Sequence, residues 1–372
     1  MPTHETNSGD ALVGRIISDR YHIGKLVGEG GMGSVYKAKQ MPLGREVAFK
    51  VLLPDLVNDS LKVKRFVNEA RILSGLRHPH TVSLIDCGRL EDGRLYIVMD
   101  YVHGGTLRDL MDQGRLSQTA ALQITRQILQ SLSEAHAHGI IHRDLKPANV
   151  LLDDVENEEF VVRVADFGIA KLDPAREGNV LGIQPVTSKG KSAFGPQAHV
   201  STSPGIRLGT PAYIAPEQAF AKDIDARSDL YSVGVLLYEM LTGHQPFSSD
   251  TERGLCLEHL HTPPKPVNSV NTELKIRPRL EELLLRLKAK DPKHRPESAR
   301  KVIRIIDEIL AGLMPEGRPS TVPLPVVLPA VKAPDPTVED VVLHLPRSGV
   351  PPWVWGLVAG MAMGAALALF LK

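Results

Sequence analysis

In the run His142-Arg143-Asp144-Leu145-Lys146-Pro147-Ala148-Asn149, a carboxylate, an ammonium and an amide stand close together. Asp166-Phe167-Gly168 follows after an apolar segment and a short acidic turn. Such a set suits in-line transfer of a phosphoryl group to a hydroxyl. That reaction needs little covalent chemistry from the protein and much positioning of nucleophile, phosphates and metal. Asp144 can accept the hydroxyl proton, and Lys146 can neutralise the moving group. Asn149 can offer a carbonyl oxygen to a divalent cation, with Asp166 as the second, charged ligand.

The elements around these residues read as two textures. Tyr21 to Val27, Ser34 to Lys39 and Glu46 to Leu53 look like strands, as do Thr81 to Asp86 and Leu95 to Met99. Leu61 to Leu76 carries Val63, Phe66, Val67, Ala70 and Leu73 at helical spacing. Gly28, Gly30 and Gly33, with Gly31 between them, have the G-x-G-x-x-G spacing. A dinucleotide fold would require a helix next. The alternation of Ser34 to Lys39 points instead to a hairpin turn whose N–H groups close over phosphates. Beyond Val102 the chain turns helical: Ser117 caps a helix ending before Gly139, Arg227 to Leu241 ends before Gly243, and a last helix buries Val302, Ile303, Ile306, Ile309 and Leu310.

From about Tyr21 to Leu310 these motifs together resemble the protein kinase family. The resemblance implies an α+β fold with a sheet-plus-helix N-lobe (21–102) and a helical C-lobe (103–311), and use of ATP with Mg2+ or Mn2+. It implies that Lys50 holds the α- and β-phosphates with Glu69 as its partner. Val35, Ala48 and Leu151 would sandwich the adenine, and Met99 would precede a hinge, Asp100-Tyr101-Val102, that reads its edge. Leu73, Leu84, His142 and Phe167 match the apolar spine that joins the lobes. Gly209-Thr210-Pro211-Ala212-Tyr213-Ile214-Ala215-Pro216-Glu217 resembles the segment that receives the substrate. Its Gly-Thr opening and Lys146 are the serine/threonine version, which implies protein substrates bearing Ser or Thr. Thr210 is expected near Asp144 and Lys146, Glu217 against Arg295, and Asp229 against the catalytic-loop backbone. Autophosphorylation in the 173–210 loop, with phospho-Thr202 pairing with Arg143, follows from the same resemblance. Arg65 to Ala70 and His78-Pro79 look most like the eukaryotic-like kinases of bacteria.

Composition narrows the rest. Lys+Arg 44 against Asp+Glu 43 argues against a nucleic-acid partner, which would demand excess cations. Two cysteines, Cys87 and Cys256, cannot make a disulfide framework, which suits a reducing cytosol. The pairs His78/His80 and His136/His138 lack further ligands at metal spacing and read as structural. Residues 1–20 are a polar extension without a secretion signal. Residues 312–352, rich in Pro and Val, read as a semi-extended linker reaching on the order of 100 Å. Residues 353–371 carry no charge and, as a helix, would span about 28 Å. A single-pass C-terminal membrane anchor is expected, with the kinase on the cytoplasmic face; the alternative is a buried helix of a soluble protein. No domain is expected beyond this span, so the input would come from lipid, membrane partners or the cytosol. Gly356, Gly360 and Gly364 recur on one helix face and would allow a homodimer, or simply an anchor rich in small residues. A membrane-tethered pseudokinase scaffold and a Pro-rich adaptor are the competing readings of the whole chain.

Overall fold

The computed structural model describes residues 12–30, 33–52, 60–153, 161–167, 211–219, 224–270 and 276–313, without the side chains of 60–62, 64, 65, 68 and 69. The smaller lobe is a six-stranded antiparallel sheet: β1 (Ile16–Ile17), β2 (Tyr21–Gly30), β3 (Gly33–Gln40), β4 (Arg45–Leu52), β5 (Leu84–Arg89) and β6 (Leu95–Asp100), in the order β1-β2-β3-β4-β6-β5. Alternation sends Tyr21, Ile23, Tyr36, Val47, Phe49 and Val98 into one core, where Phe49 stacks on Tyr96 with ring centroids 4.7 Å apart. Leu12 and Ile17 belong to that core as well, so residues ahead of Tyr21 are built into the lobe. On the other face, α1 (Ser60–Leu73) packs Phe66 against Leu52, Leu95 and Ile97.

The larger lobe contains α2 (Leu107–Met111), α3 (Gln118–Ala137), the hairpin β7 (Val150–Asp153) with β8 (Val161–Val164), α4 (Pro216–Ala219) and α5 (Ala226–Thr242), followed by α6 (Glu252–His261), α7 (Val267–Val270), α8 (Pro278–Leu287) and α9 (Ala299–Leu313). Ser117 caps α3 by accepting from the Ala120 N–H. Gly139 (φ 73°) follows that helix, and Gly243 (φ 76°) closes α5, both in the left-handed conformation that glycine adopts at least cost. Helix α5 is the rack of the lobe: every residue from Ser228 to Thr242 is buried, so it is covered on all sides by its neighbours.

Three local expectations change. The helix in the small lobe stops at Leu73 and not at Leu76; Ser74 and Gly75 turn the chain. The strand expected from Thr81 begins at Leu84, because His80, Thr81 and Val82 pair with Val164 of the large lobe. Val67 lies on the solvent side of α1, at 40% exposure. Among the described residues no helix is long and apolar enough to cross a membrane; residues 353–371 and Gly356, Gly360 and Gly364 lie outside them.

Candidate active site

The loop after α3 is held from below by one carboxylate. Asp229, in the first turn of α5 and 1% exposed, accepts from the backbone N–H of His142 (2.9 Å) and of Arg143 (3.0 Å), and from His136 Nε2 (2.7 Å). Burial alone would raise the pKa of Asp229, but the hydrogen bond and charge of His136 and the His142 N–H outweigh it and hold the carboxyl below its usual range. Arg143 sits in the left-handed region (φ 62°), a strained place for a side-chain-bearing residue. Its N–H goes to Asp229, and its carbonyl accepts from Gln218 Nε2 at 2.9 Å. The strain is thus clamped from two sides, and it aims the next residue, Asp144.

Around Asp144 the donors converge. Lys146 Nζ lies 2.9 Å from Asp144 Oδ2, and Asn149 Nδ2 donates to the Asp144 carbonyl (2.8 Å) and to Oδ2 (3.2 Å). The β7–β8 hairpin brings the second acidic residue alongside. Val150 is opposite Val164, and the Ala165 N–H donates to the Asn149 carbonyl at 2.9 Å, so Asn149 and Asp166 share one end of the hairpin. Asp166 also has positive φ (58°), and its Oδ1 accepts from Lys50 Nζ at 2.7 Å. The sequence pairs Lys50 with Glu69; the structure puts Lys50 against Asp166, while the Glu69 side chain lies outside the described residues. His142 Nε2 lies 2.9 Å from the Ala165 carbonyl, and its ring meets Phe167 at 4.7 Å. Leu73 and Phe167 are buried in one cluster with Leu84 packed against it, which makes the apolar column through both lobes continuous. Beside it a cavity of about 30 Å3 is bounded by Leu73, Leu76, Leu84, Met99, Asp166 and Phe167.

Above the hairpin, strand register places the residues expected to bound a nucleotide. Val35 pairs with Lys50 across β3 and β4, and Ala48 with Met99 across β4 and β6. Asp100 ends β6 and Val102 is buried just beyond it, while Leu151 is half-buried on β7 below. The glycines of the turn differ in kind. A Cβ on Gly33 (φ 135°) would lie 1.9 Å from the Val51 carbonyl, so packing alone demands glycine there. A Cβ on Gly28 or Gly30 would meet nothing within 4 Å, so packing among the described residues does not require glycine at either. Gly31 and Gly168 lie outside the described residues.

The segment from Pro211 to Ala219 is tied to the same rack. Arg295 donates to both Glu217 oxygens (2.7 and 2.8 Å), with neither side chain more than 5% exposed, and Ser228 Oγ donates to Glu217 Oε1. Burial would raise the Glu217 pKa; Arg295 overrides it and keeps the carboxyl below its usual range. Ser232 Oγ donates to the Tyr213 carbonyl (2.7 Å), and Tyr213 Oη donates to Glu239 Oε2 (2.5 Å). Arg108 Nη2 reaches both Tyr213 Oη (2.7 Å) and Glu239 Oε1 (2.9 Å). Sequence reasoning passed over Gln218, Arg108 and Glu239, and it named His136 and Tyr213 without their partners, because nothing in local spacing marks partners so far away along the chain. Thr202 and Thr210 lie outside the described residues.

Residues 21–305 match the protein kinase domain. The chain is similar to the serine/threonine-protein kinase pkn3 of Myxococcus xanthus, 40% identical over 296 residues that are 79% of this chain and 50% of the relative. It is also similar to the serine/threonine-protein kinase PknB of Mycolicibacterium smegmatis, 36% identical over 304 residues, 81% of this chain and 44% of the relative. The chain therefore spans about half the length of the curated relatives it matches. Among solved structures, the kinase domain of Mycobacterium tuberculosis PknI superposes with a TM-score of 0.60 at 26% identity, covering 81% of this chain and 100% of that one.

Proposed function

This chain belongs to the protein kinase family, and from that premise we propose that it transfers the γ-phosphate of ATP to serine and threonine hydroxyls of proteins. The observation that carries the reading is the convergence of Lys146 and Asn149 on Asp144, one hairpin register away from Asp166 and Lys50. The substrate oxygen attacks the γ-phosphorus, the bond to the bridging oxygen breaks, and ADP leaves with that electron pair. Asp144, fixed by its two neighbours, takes the hydroxyl proton. Lys146 offsets charge on the moving group, and Lys50 stands where the α- and β-phosphates would lie. Val35, Ala48 and Leu151 bound the adenine, with the backbone at Asp100 and Val102 as its edge reader.

The donor set fits a small hard cation. Among the described residues no cluster of three or more His, Cys, Asp or Glu forms a dedicated metal cage. Mg2+ does not need one: it binds through one or two carboxylates together with substrate phosphates and water. Asn149 uses its amide nitrogen on Asp144, which leaves its oxygen as the donor atom for a cation, and Asp166 adds a carboxylate. Mg2+, or Mn2+ in its place, would neutralise phosphate charge there.

The same proposal extends to the tail and the loop. Residues 353–371 anchor the kinase to the cytoplasmic face of the membrane, with Gly356, Gly360 and Gly364 as a helix-pairing face. The uncharged, tryptophan-edged composition of the span supports this. Phosphate on Thr202 orders the activating loop through Arg143. Incubation with γ-labelled ATP and myelin basic protein should place label on Ser and Thr, and chelation of divalent cations should abolish it. Label on neither residue would refute the activity. The full chain should sediment with membranes and lose that property when 353–372 are deleted; a soluble full chain would refute the anchor.

A further inference from the structure

Helix α2 joins two regions that the chemistry must bring together. Its first turn is registered to β7: the Leu152 N–H donates to the Gly105 carbonyl at 2.9 Å, and Thr106 bridges Leu151, a residue of the proposed adenine site. Thr106 also fixes the helix start through a reciprocal capping pair with Asp109. One residue into this helix, Arg108 leaves the nucleotide side and reaches the substrate segment.

There it meets a buried carboxylate. Glu239 is 5% exposed in the middle of α5, and its two oxygens are divided between Arg108 and the Tyr213 hydroxyl. Arg108 adds a direct bond to that hydroxyl and has Asp112 one turn along its own helix, at 3.5 Å. Burial and the Glu239 carboxylate push the Tyr213 phenol well above its ordinary range, so it stays a hydrogen-bond donor throughout the working pH range. Among the described residues Arg108 is the cation paired with Glu239. Without it, a carboxylate would remain in the interior with only neutral partners, a strongly unfavourable arrangement.

We propose that Arg108 is a positioning residue for the protein substrate, holding the Pro211–Tyr213 turn on α5 through Glu239 and tying it to the helix that borders the nucleotide. The proposal rests on the kinase reading above. It assigns Arg108 no contact with the reacting atoms. Its loss should therefore weaken engagement of the protein substrate while sparing that of ATP, whose proposed contacts lie on β3, β4, β7 and the hinge.

The test is steady-state kinetics of the full chain with ATP and myelin basic protein, for the parent, Arg108→Ala, Arg108→Lys and the double variant Arg108→Met/Glu239→Gln. Myelin basic protein is cationic, so removing the Arg108 charge would by itself favour its binding; a rise in KM then reports the lost anchor. Arg108→Ala should raise the protein-substrate KM about tenfold, the scale of one charge-assisted tie, and leave the ATP KM within about twofold. Arg108→Lys should recover part of the loss, because it keeps the charge without the fork that bonds both partners. The double variant leaves no bare charge inside, so it should melt near the parent temperature while its protein-substrate KM stays raised. A folded double variant with the parent KM for both substrates overturns the proposal. Equal increases in both KM values across the variants overturn it too, since they would mean general damage. A parent that phosphorylates no protein overturns the kinase reading and the proposal with it; an active parent with unchanged Arg108 variants overturns the proposal alone.

Discussion

Replacing Asp229 with asparagine asks whether one buried carboxylate holds the strained backbone that aims Asp144. The aspartate accepts three hydrogen bonds, from the His142 and Arg143 N–H groups and from His136. Asparagine has nearly the same shape but a single oxygen, and its amide nitrogen would face other donors. Oδ2 accepts from the His142 N–H and from His136, and Oδ1 from the Arg143 N–H, so an amide oxygen in the Oδ2 place keeps two bonds and leaves the Arg143 N–H facing an NH2 group. At about 1.5–3 kcal/mol for a hydrogen bond to a charged group, that loss costs roughly 1.5–3 kcal/mol. The left-handed conformation at Arg143 itself costs of order 1–3 kcal/mol. With the bond that holds Arg143 lost, a cost on the scale of that strain, the loop should relax and carry Asp144 away. A displacement near 1 Å lowers turnover on the order of 10²-fold. Asp229→Asn should therefore lose about two decades of kcat in γ-phosphate transfer to myelin basic protein. Its ATP affinity, read by titration calorimetry, should change little, because the adenine and phosphate contacts are on other elements. The melting midpoint should fall together with kcat. A variant with the parent kcat would show instead that Arg143 keeps its conformation without the Asp229 charge.

Two further outcomes follow from buried charges. Glu217→Gln leaves the Arg295 guanidinium inside without its counter-charge, a loss of about 3–5 kcal/mol that should lower the melting midpoint by roughly 6–12 °C in a scanning measurement; a shift under about 2 °C would contradict it. Burial presses the Lys288 pKa down to about 7, with its ammonium 3.8 Å from the centroid of the Tyr238 ring. Between pH 7 and about 10.5 the unfolded chain then binds one more proton than the folded one at this site, so stability contributed there rises with pH across that window and falls again toward pH 7. Lys288→Met should remove up to about 1.4 kcal/mol per pH unit of that slope and stabilise the protein at pH 7; an unchanged slope in denaturant titrations at several pH values would contradict it.

Much of the architecture could be read from local signals, and the exceptions have one cause. Ser117, Gly139 and Gly243 mark helix ends through their own backbone chemistry, so they needed no tertiary information. Gly33 was visible as a glycine, but the reason for it is the Val51 carbonyl on the neighbouring strand. Thr81 has a strand-forming neighbourhood, yet its pairing with Val164 of the other lobe took it out of the small sheet. Motif spacing drew attention to Asp144, Asn149, Asp166, Asp229 and Arg295; the distances among their side chains came only with the fold. Lys50 shows the limit most clearly, since its hydrogen bond to Asp166 depends on how the lobes meet and on nothing within either motif. Arg108, Tyr213 and Glu239 stand in three separate segments, and only the burial of Glu239 reveals why they must converge.

In the proposed reaction Asp144 takes the proton from a protein hydroxyl while its neighbours hold the transferring phosphate. Single-turnover transfer from γ-labelled ATP, measured for the parent and Asp144→Asn at saturating ATP, addresses it directly. Nearly equal ATP binding is expected, with a transfer rate about 10²–10⁴-fold lower in the variant, the scale of losing a positioned general base. Transfer at the parent rate by Asp144→Asn would contradict it.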